Sequence, residues 1–193
     1  MDMLLSLWLP IIVTAVIVFV ASSIIWMAAP IHKHDYKNPG DKEGEILALL
    51  RSVALAPGLY MVPWNNHGNK ADKAAEARVK EGPWATITVM PGIPNMGKLL
   101  GAWFFHLVVV TIFIAYVGSV TLVAGADYLK VFQVIGGAAL LAHAGYALPM
   151  AIWHGMPWSQ LPGRLFDGVV YALLTAGTFG WLWPEAILPT TIG

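Results

Sequence analysis

The chain begins with the uncharged stretch MLLSLWLPIIVTAVIVFVASSIIWMAA, residues 3–29. A run of about 20 apolar residues is enough to cross the hydrocarbon core of a bilayer. Because lipid offers the backbone no hydrogen-bond partners, such a run is expected to be helical. Asp2 stands where a secretory signal would carry positive charge, and the apolar run is too long for one. The pattern predicts a retained membrane helix.

Three further apolar stretches follow, at about residues 99–124, 131–153 and 166–183. The first two contain no Asp, Glu, Lys or Arg, and the third contains only Asp167. The chain is therefore predicted to be an all-α membrane protein, a four-transmembrane-helix bundle that forms a single membrane domain over residues 1–193. The short connection at residues 125–127 makes the second and third spans antiparallel neighbours. Pro10 and Pro149 are expected to kink their spans.

The composition supports a membrane protein. Hydrophobic residues make up 58% of the chain and charged residues 11%, whereas soluble domains carry roughly 25% charged residues. The net charge is zero, so electrostatics give no reason to expect a nucleic-acid partner. The chain has no cysteine, which excludes disulfides, thiolate zinc sites and iron–sulfur clusters.

The distribution of basic residues predicts the orientation. Nine of the eleven Lys and Arg residues lie between the first two spans, Arg164 follows the third, and Lys130 lies on the opposite side. Since positive loops stay in the cytoplasm, we expect a multi-pass protein of the bacterial inner membrane with a cytoplasmic loop and both termini outside, in the periplasm. Aromatic residues fit this orientation. The expected cytoplasmic belt is Trp26, Trp103, Trp153 and Trp158, and the outer belt is Trp8, Tyr128, Trp181 and Trp183.

The cytoplasmic loop spans residues 31–98, about 68 residues of mixed structure between helices 1 and 2. Residues 41–51 have the pattern of an amphipathic helix with Asp41 as its candidate cap. A second short helix is predicted at 72–80, and the extended stretches 59–64 and 84–90 are predicted to pair as a small hairpin. A segment of this size builds only a marginal core by itself, so we expect it to pack on the helix ends or on a partner.

Two histidines lie inside predicted spans. His106 and His143 would both sit roughly 12–15 Å from the cytoplasmic ends of antiparallel helices. Their imidazoles could therefore hold a b-type haem, because an ionisable group inside a membrane span is a functional hypothesis by default. The alternative is that each His bonds to a neighbouring helix and stabilises the bundle.

A second candidate site lies at the cytoplasmic interface, where His32, His34, His154 and Met156 combine imidazole and thioether groups. Such ligands suit copper(I). The alternative is that Met fills irregular apolar gaps and His simply tolerates the interface. Nearby, Arg164 and Asp167 are three residues apart and are predicted to pair on one helix face, with the acid near the helix N-terminus.

Several stretches resemble a family of uncharacterised four-span bacterial inner-membrane proteins. They are the first span running into HKHDY (residues 32–36), PGLY (57–60), PNMGK (94–98) and FDGVVYALLTAGTFGWLWP (166–184). The resemblance covers most of the chain, and the last stretch is the most specific. It implies a bacterial membrane location and transfers no catalytic residues.

The sequence contains no HExxH or GxSxG motif and no pair of carboxylates inside the spans. We therefore predict no catalytic residues and no enzymatic activity. Small residues in the last two spans allow close helix contacts. The first hypothesis is a non-catalytic accessory, scaffold or assembly subunit whose partners are the lipid bilayer and other membrane protein subunits. The alternatives are a b-haem or metal-binding redox protein, and a small protein that binds or transports lipids or small molecules.

Overall fold

The computed structural model describes residues 2–64 and 73–186, and the protein is mostly helical. It divides into two compact units: Met1–Tyr36 with Met96–Gly193, here called the helical unit, and Lys37–Asn95, the loop unit. The helices are α1 Asp2–Ser6, α2 Trp8–Met27, α3 Glu43–Val53, α4 Lys73–Glu81, α5 Met96–Thr121, α6 Tyr128–Ala144, α7 Ala147–Trp153 and α8 Leu161–Trp181, and the strands are β1 Gly58–Val62 and β2 Ala85–Val89.

Three helices of the described ranges are long and apolar enough to cross a membrane: Trp8–Met27, Met96–Thr121, and Tyr128–Trp153, which joins α6 and α7. Their length and composition confirm the prediction of a helical protein compatible with a membrane. They correspond to the first three predicted spans.

Helix breaks lie near the prolines of the first and third predicted spans, where kinks are predicted. The first is interrupted at Leu7, between α1 and α2, and Pro10 lacks the N–H that would donate to the carbonyl of Ser6. The third is interrupted at Gly145 and Tyr146, and Pro149 lies four residues after Gly145. A proline ring inside a helix clashes with the carbonyl four residues earlier, which accounts for a helix that stops and restarts at both places.

Four helices close into a ring. Helix α2 packs on α5 and α8, and α6 packs on the same two helices. At one end the amide of Gly125 donates to the carbonyl of Pro184 at 2.8 Å, and Trp183 Nε1 donates to the carbonyl of Val123 at 2.9 Å. At the other end Trp103 Nε1 donates to Ser22 Oγ at 2.9 Å. Successive helices of the bundle are therefore antiparallel.

Glycines set the close contact of α6 with α8. A Cβ atom added to Gly168 would lie 2.6 Å from the Cβ of Ala144, and one added to Gly136 would lie 3.2 Å from the Cβ of Ala176. A Cβ on Gly137 would meet nothing within 4 Å. Gly136 and Gly168 therefore lie at the contact between the two helices, whereas Gly137 faces open space.

Helix α8 starts earlier than predicted. It begins at Leu161, with Pro162 in its first turn, where the fixed φ of proline suits a helix and its missing N–H would have no partner. Asp167 therefore lies in the second turn of α8, whereas the sequence predicted a position near the helix N-terminus.

The loop unit contains the two predicted extended stretches as the antiparallel pair β1 and β2, in which Tyr60 faces Ile87. Helix α3 has the predicted amphipathic pattern, but Asp41 does not cap it. A 3-10 turn at Gly40–Lys42 precedes the helix, Lys42 takes the cap position, and no side-chain cap bond is made. Helix α4 matches the predicted helix 72–80, of which residue 72 lies outside the described residues.

Helix α4 provides a small testable effect. Lys80 Nζ lies 2.7 Å from Glu76 Oε1. The hydrogen bond and charge of Lys80 lower the pKa of Glu76, and Glu76 raises the pKa of Lys80. We expect Lys80→Gln to return the pKa of Glu76 toward its ordinary value, as measured by NMR titration of the Glu76 carboxyl carbon. Lys42→Gln, which breaks the separate Lys42–Glu45 pair of the same unit, should leave it unchanged.

Candidate functional site

The candidate site lies where the chain leaves α2 and turns back onto α8. After Met27 a 3-10 helix at Pro30–His32 redirects the backbone, and the amide of Asp35 donates to the carbonyl of His32 at 3.1 Å. This short turn places His32 against the N-terminal part of α8, where its side chain is buried.

Two carboxylates hold the imidazole of His32 from opposite edges. Nδ1 lies 2.9 Å from Asp35 Oδ2, and Nε2 lies 3.0 Å from Asp167 Oδ2. The side chains of His32, Asp35 and Asp167 are 5%, 8% and 9% exposed. When both carboxylates are ionised, each contact is a hydrogen bond only if the facing nitrogen carries a proton. The geometry therefore fits an imidazolium with two charge-assisted bonds.

Trp26 orients the same imidazole. The indole and imidazole rings stack with centroids 4.0 Å apart and an interplanar angle of 9°. Trp26 Nε1 also donates to Asp167 Oδ2 at 3.1 Å, so the indole fixes the carboxylate as well. The guanidinium carbon of Arg164 lies 4.5 Å from the centroid of the Trp26 ring, within the range of a cation–π contact.

Two further contacts fix Asp35. Arg164 Nη2 lies 3.3 Å from Asp35 Oδ2, and Gln160 Nε2 donates to the carbonyl of Asp35 at 2.6 Å. With an imidazolium, the two acids balance two cations, so the group carries no net charge. Charge balance is one condition for a buried ionic group to be tolerated. Arg164 Nε is buried with no hydrogen-bond partner within the described residues. We call Trp26, His32, Asp35, Arg164 and Asp167 the His32 cluster.

Buried polar groups continue from the His32 cluster into the bundle. Tyr171 lies one turn after Asp167 on α8, and its buried hydroxyl makes no hydrogen bond within the described residues. Ser22 on α2 accepts from Trp103 of α5 and donates to the carbonyl of Phe19 at 2.8 Å. Ser22, Trp103 and Tyr171 therefore add polar groups next to the His32 cluster. The other half of the bundle also contains buried polar side chains, the threonines Thr14, Thr111, Thr175 and Thr178.

The predicted pair of Arg164 with Asp167 is wrong. Arg164 pairs with Asp35, and Asp167 pairs with His32 and Trp26. The turn after α2 lies against the start of α8 and offers each of these side chains a partner of opposite charge or a hydrogen-bond donor. These long-range contacts take the place of the local one.

The histidines predicted to bind haem lie on α5 and α6, which pack together. His106 is exposed and stacks on Trp103 at a centroid distance of 5.3 Å. His143 is half-buried, and its ring meets the ring of Tyr171 edge-on at 5.6 Å. Each imidazole thus has an aromatic neighbour. Haem ligation by His106 and His143 stays a prediction.

The predicted copper ligands have different surroundings. Both ring nitrogens of His32 face carboxylates, whereas His34 is exposed. His154 is exposed and its Nε2 lies 2.9 Å from the hydroxyl of Tyr146, and Met156 is half-buried. Residues 2–64 and 73–186 contain no group of three or more His, Cys, Asp or Glu side chains placed to hold a metal ion. Copper binding stays a prediction.

Sequence reasoning missed the partnership of His32 with Asp167 and the part played by Trp26. A signal was present, because a carboxylate inside an apolar helix needs a cation or donor at the same depth. His32 follows the first span directly at that same end. Several basic residues lie at the same predicted end of the bundle, so the sequence alone could not select the partner of Asp167 among them.

An open groove runs along the outer surface between α6 and α8. Its volume is about 270 Å³, and its lining is apolar except for Gln133. The side chains and backbone that line it include Phe132, Gly136, Gly137, Leu140, Val169, Ala172, Leu173 and Ala176.

No protein-family model matches this chain, and no curated protein or solved structure is significantly similar to it.

Proposed function

We propose that the chain is a four-span protein of the bacterial inner membrane that acts as a non-catalytic accessory, scaffold or assembly subunit of a larger membrane complex. The observation that carries the proposal is the α6–α8 groove, an open and mainly apolar surface whose lining includes two glycines and two alanines, on helices that would face lipid. Small residues let a neighbouring membrane helix approach closely. In contrast, the charged side chains of the His32 cluster bond to one another.

Helix α8 is the proposed fourth span. It has 21 residues, and at 1.5 Å per residue its length is about 31 Å, close to the thickness of the hydrocarbon core. Its two charged residues, Arg164 and Asp167, lie near one end and are compensated by Asp35 and His32. Its packing on α2 and α6 supports a position inside the same layer.

The orientation follows from charge. The ends of α2 and α7 and the starts of α5 and α8 lie on one side of an antiparallel bundle, and ten of the eleven basic residues lie on that side in the sequence. The positive-inside bias supports a cytoplasmic position for that side. The loop unit would then be cytoplasmic and both termini periplasmic. The resemblance to four-span inner-membrane proteins agrees with this location.

Co-purification from the native membrane tests the proposed function. The tagged chain, extracted in polymer-bounded native lipid particles, is expected to carry other membrane proteins in fixed ratio. Gly137→Leu fills the groove where a Cβ meets nothing within 4 Å, so it should reduce recovery of those proteins. Gly101→Leu, at an equally open position of α5, should retain them. Recovery of the unaltered chain as a lone monomer would contradict the proposal.

A further inference from the structure

We propose that Trp26, Asp35 and Asp167 form a binding site for a planar nitrogen cation of the imidazolium class, and that His32 of the same chain occupies this site as a latch. The inference goes beyond the role as an accessory subunit and is independent of it. The two carboxylates and the indole of the His32 cluster provide the acceptors and the aromatic face that such a cation requires.

A planar cation with two N–H groups needs an acceptor at each edge and an electron-rich face against its ring. Asp35 and Asp167 provide oxygens 2.9 and 3.0 Å from the two ring nitrogens. Trp26 provides a parallel face at 4.0 Å. Carboxylate bonds to a cationic donor are stronger than neutral ones, and an indole is the best aromatic partner for a cation.

The acceptors are held in place by groups other than the imidazole. Trp26 Nε1 donates to Asp167, Gln160 donates to the backbone of Asp35, and Arg164 contacts the Asp35 carboxylate. Gly163 lies close to the imidazole, since a Cβ there would be 3.2 Å from His32 Cε1. A site whose donors and acceptors are fixed beforehand binds its ligand with a smaller loss of freedom.

His32 reaches the site on a short turn, so its effective concentration there is high. Its side chain then fastens the segment between α2 and the loop unit to the start of α8. If the side chain is removed, the same pocket is left open to a free cation of the same shape. The occupant that the geometry selects is therefore an imidazolium with both nitrogens protonated.

The test is chemical rescue of His32→Gly. The full-length variant is purified in mild detergent by a tag without histidine, so that imidazole enters only as the probe. We expect imidazole to bind it with saturable heat in titration calorimetry and to raise its melting temperature. 1-Methylimidazole has lost one donor and adds a methyl group where a carboxylate stands. Because a hydrogen bond to a charged group is lost, its Kd should be ~10-fold higher or more.

Two variants provide matched controls. His154→Gly removes an exposed imidazole that bonds to Tyr146 and should show no imidazole binding. In the double variant His32→Gly, Asp167→Asn, imidazole should bind much more weakly and should hardly raise the melting temperature. Equal stabilisation of all these variants by imidazole, or no binding to His32→Gly, would overturn the proposal.

The wild-type chain gives an independent test if His32→Gly does not fold. With ¹⁵N-labelled histidine, both ring N–H groups of His32 should be visible and protected from exchange with water. The Asp167→Asn variant should lose the protection at Nε2 and the Asp35→Asn variant the protection at Nδ1. A single protonated nitrogen in the folded wild-type chain would contradict the assigned ligand class.

Discussion

Replacing Asp167 with alanine is expected to lower the free energy of unfolding of the helical unit by about 3–5 kcal/mol. Asp167 is buried, lies 3.0 Å from His32 Nε2 and accepts from Trp26 Nε1 at 3.1 Å. The substitution leaves the buried His32 ring with one of its two carboxylate partners and leaves the indole N–H without this acceptor. The change should appear as a lower midpoint when the purified protein is unfolded with sodium dodecyl sulfate.

Asp127→Ala is the matched control for this change. Asp127 is exposed and precedes α6 without a side-chain cap bond, so its removal should change stability by less than about 0.5 kcal/mol. Combining Asp167→Asn with His32→Gln removes both opposite charges and should cost less than the sum of the two single changes, because the two residues are in contact. Equal effects of Asp167→Ala and Asp127→Ala would show that the His32 cluster contributes little to stability.

Replacing Gly168 with leucine is expected to lower the free energy of unfolding by about 3 kcal/mol or more. Even a Cβ at this position would lie 2.6 Å from the Cβ of Ala144 and within 3.0 Å of its backbone nitrogen. Backbone atoms cannot rotate away, so α6 and α8 must separate. The separation would also move Asp167, the neighbouring residue, relative to His32. Loss of the folded fraction in detergent, followed by size-exclusion chromatography and thermal unfolding, measures the effect.

Gly137→Leu controls for the leucine side chain itself, because a Cβ at Gly137 meets nothing within 4 Å. The free energy of unfolding of Gly137→Leu should stay within about 0.5 kcal/mol of that of the unaltered chain. If Gly168→Leu were as stable as Gly137→Leu, the close contact of α6 with α8 would be wrong. The same pair therefore separates the role of Gly168, at the close contact of α6 with α8, from that of Gly137, in the groove.

The helices could be predicted because their cause is local. Uncharged runs of sufficient length require helix in lipid, and Pro10 and Pro149 remove backbone donors at known positions. The breaks at Leu7 and Gly145 follow from those two residues. The start of α8 was harder to place, because Arg164 and Asp167 made its first turns resemble a polar connection.

The His32 cluster could not be predicted, since its partners are far apart in the chain. Asp167 and His32 are separated by 135 positions, and the sequence offered Arg164 as a nearer partner on the same helix. An ion pair between side chains three residues apart on a helix stabilises the helix by only a few tenths of a kcal/mol. Tertiary packing that buries a carboxylate against an imidazole and an indole outweighs it.

The most direct test of the central claim, that the helices of the helical unit cross the membrane with the loop unit inside, is cysteine labelling in intact cells. The chain has no cysteine, so each introduced thiol reports one position. We predict that Lys130→Cys reacts with a membrane-impermeant maleimide in intact cells, whereas Lys80→Cys reacts only after the membrane is opened. Labelling of Lys80→Cys from outside, or protection of Lys130→Cys, would contradict the account.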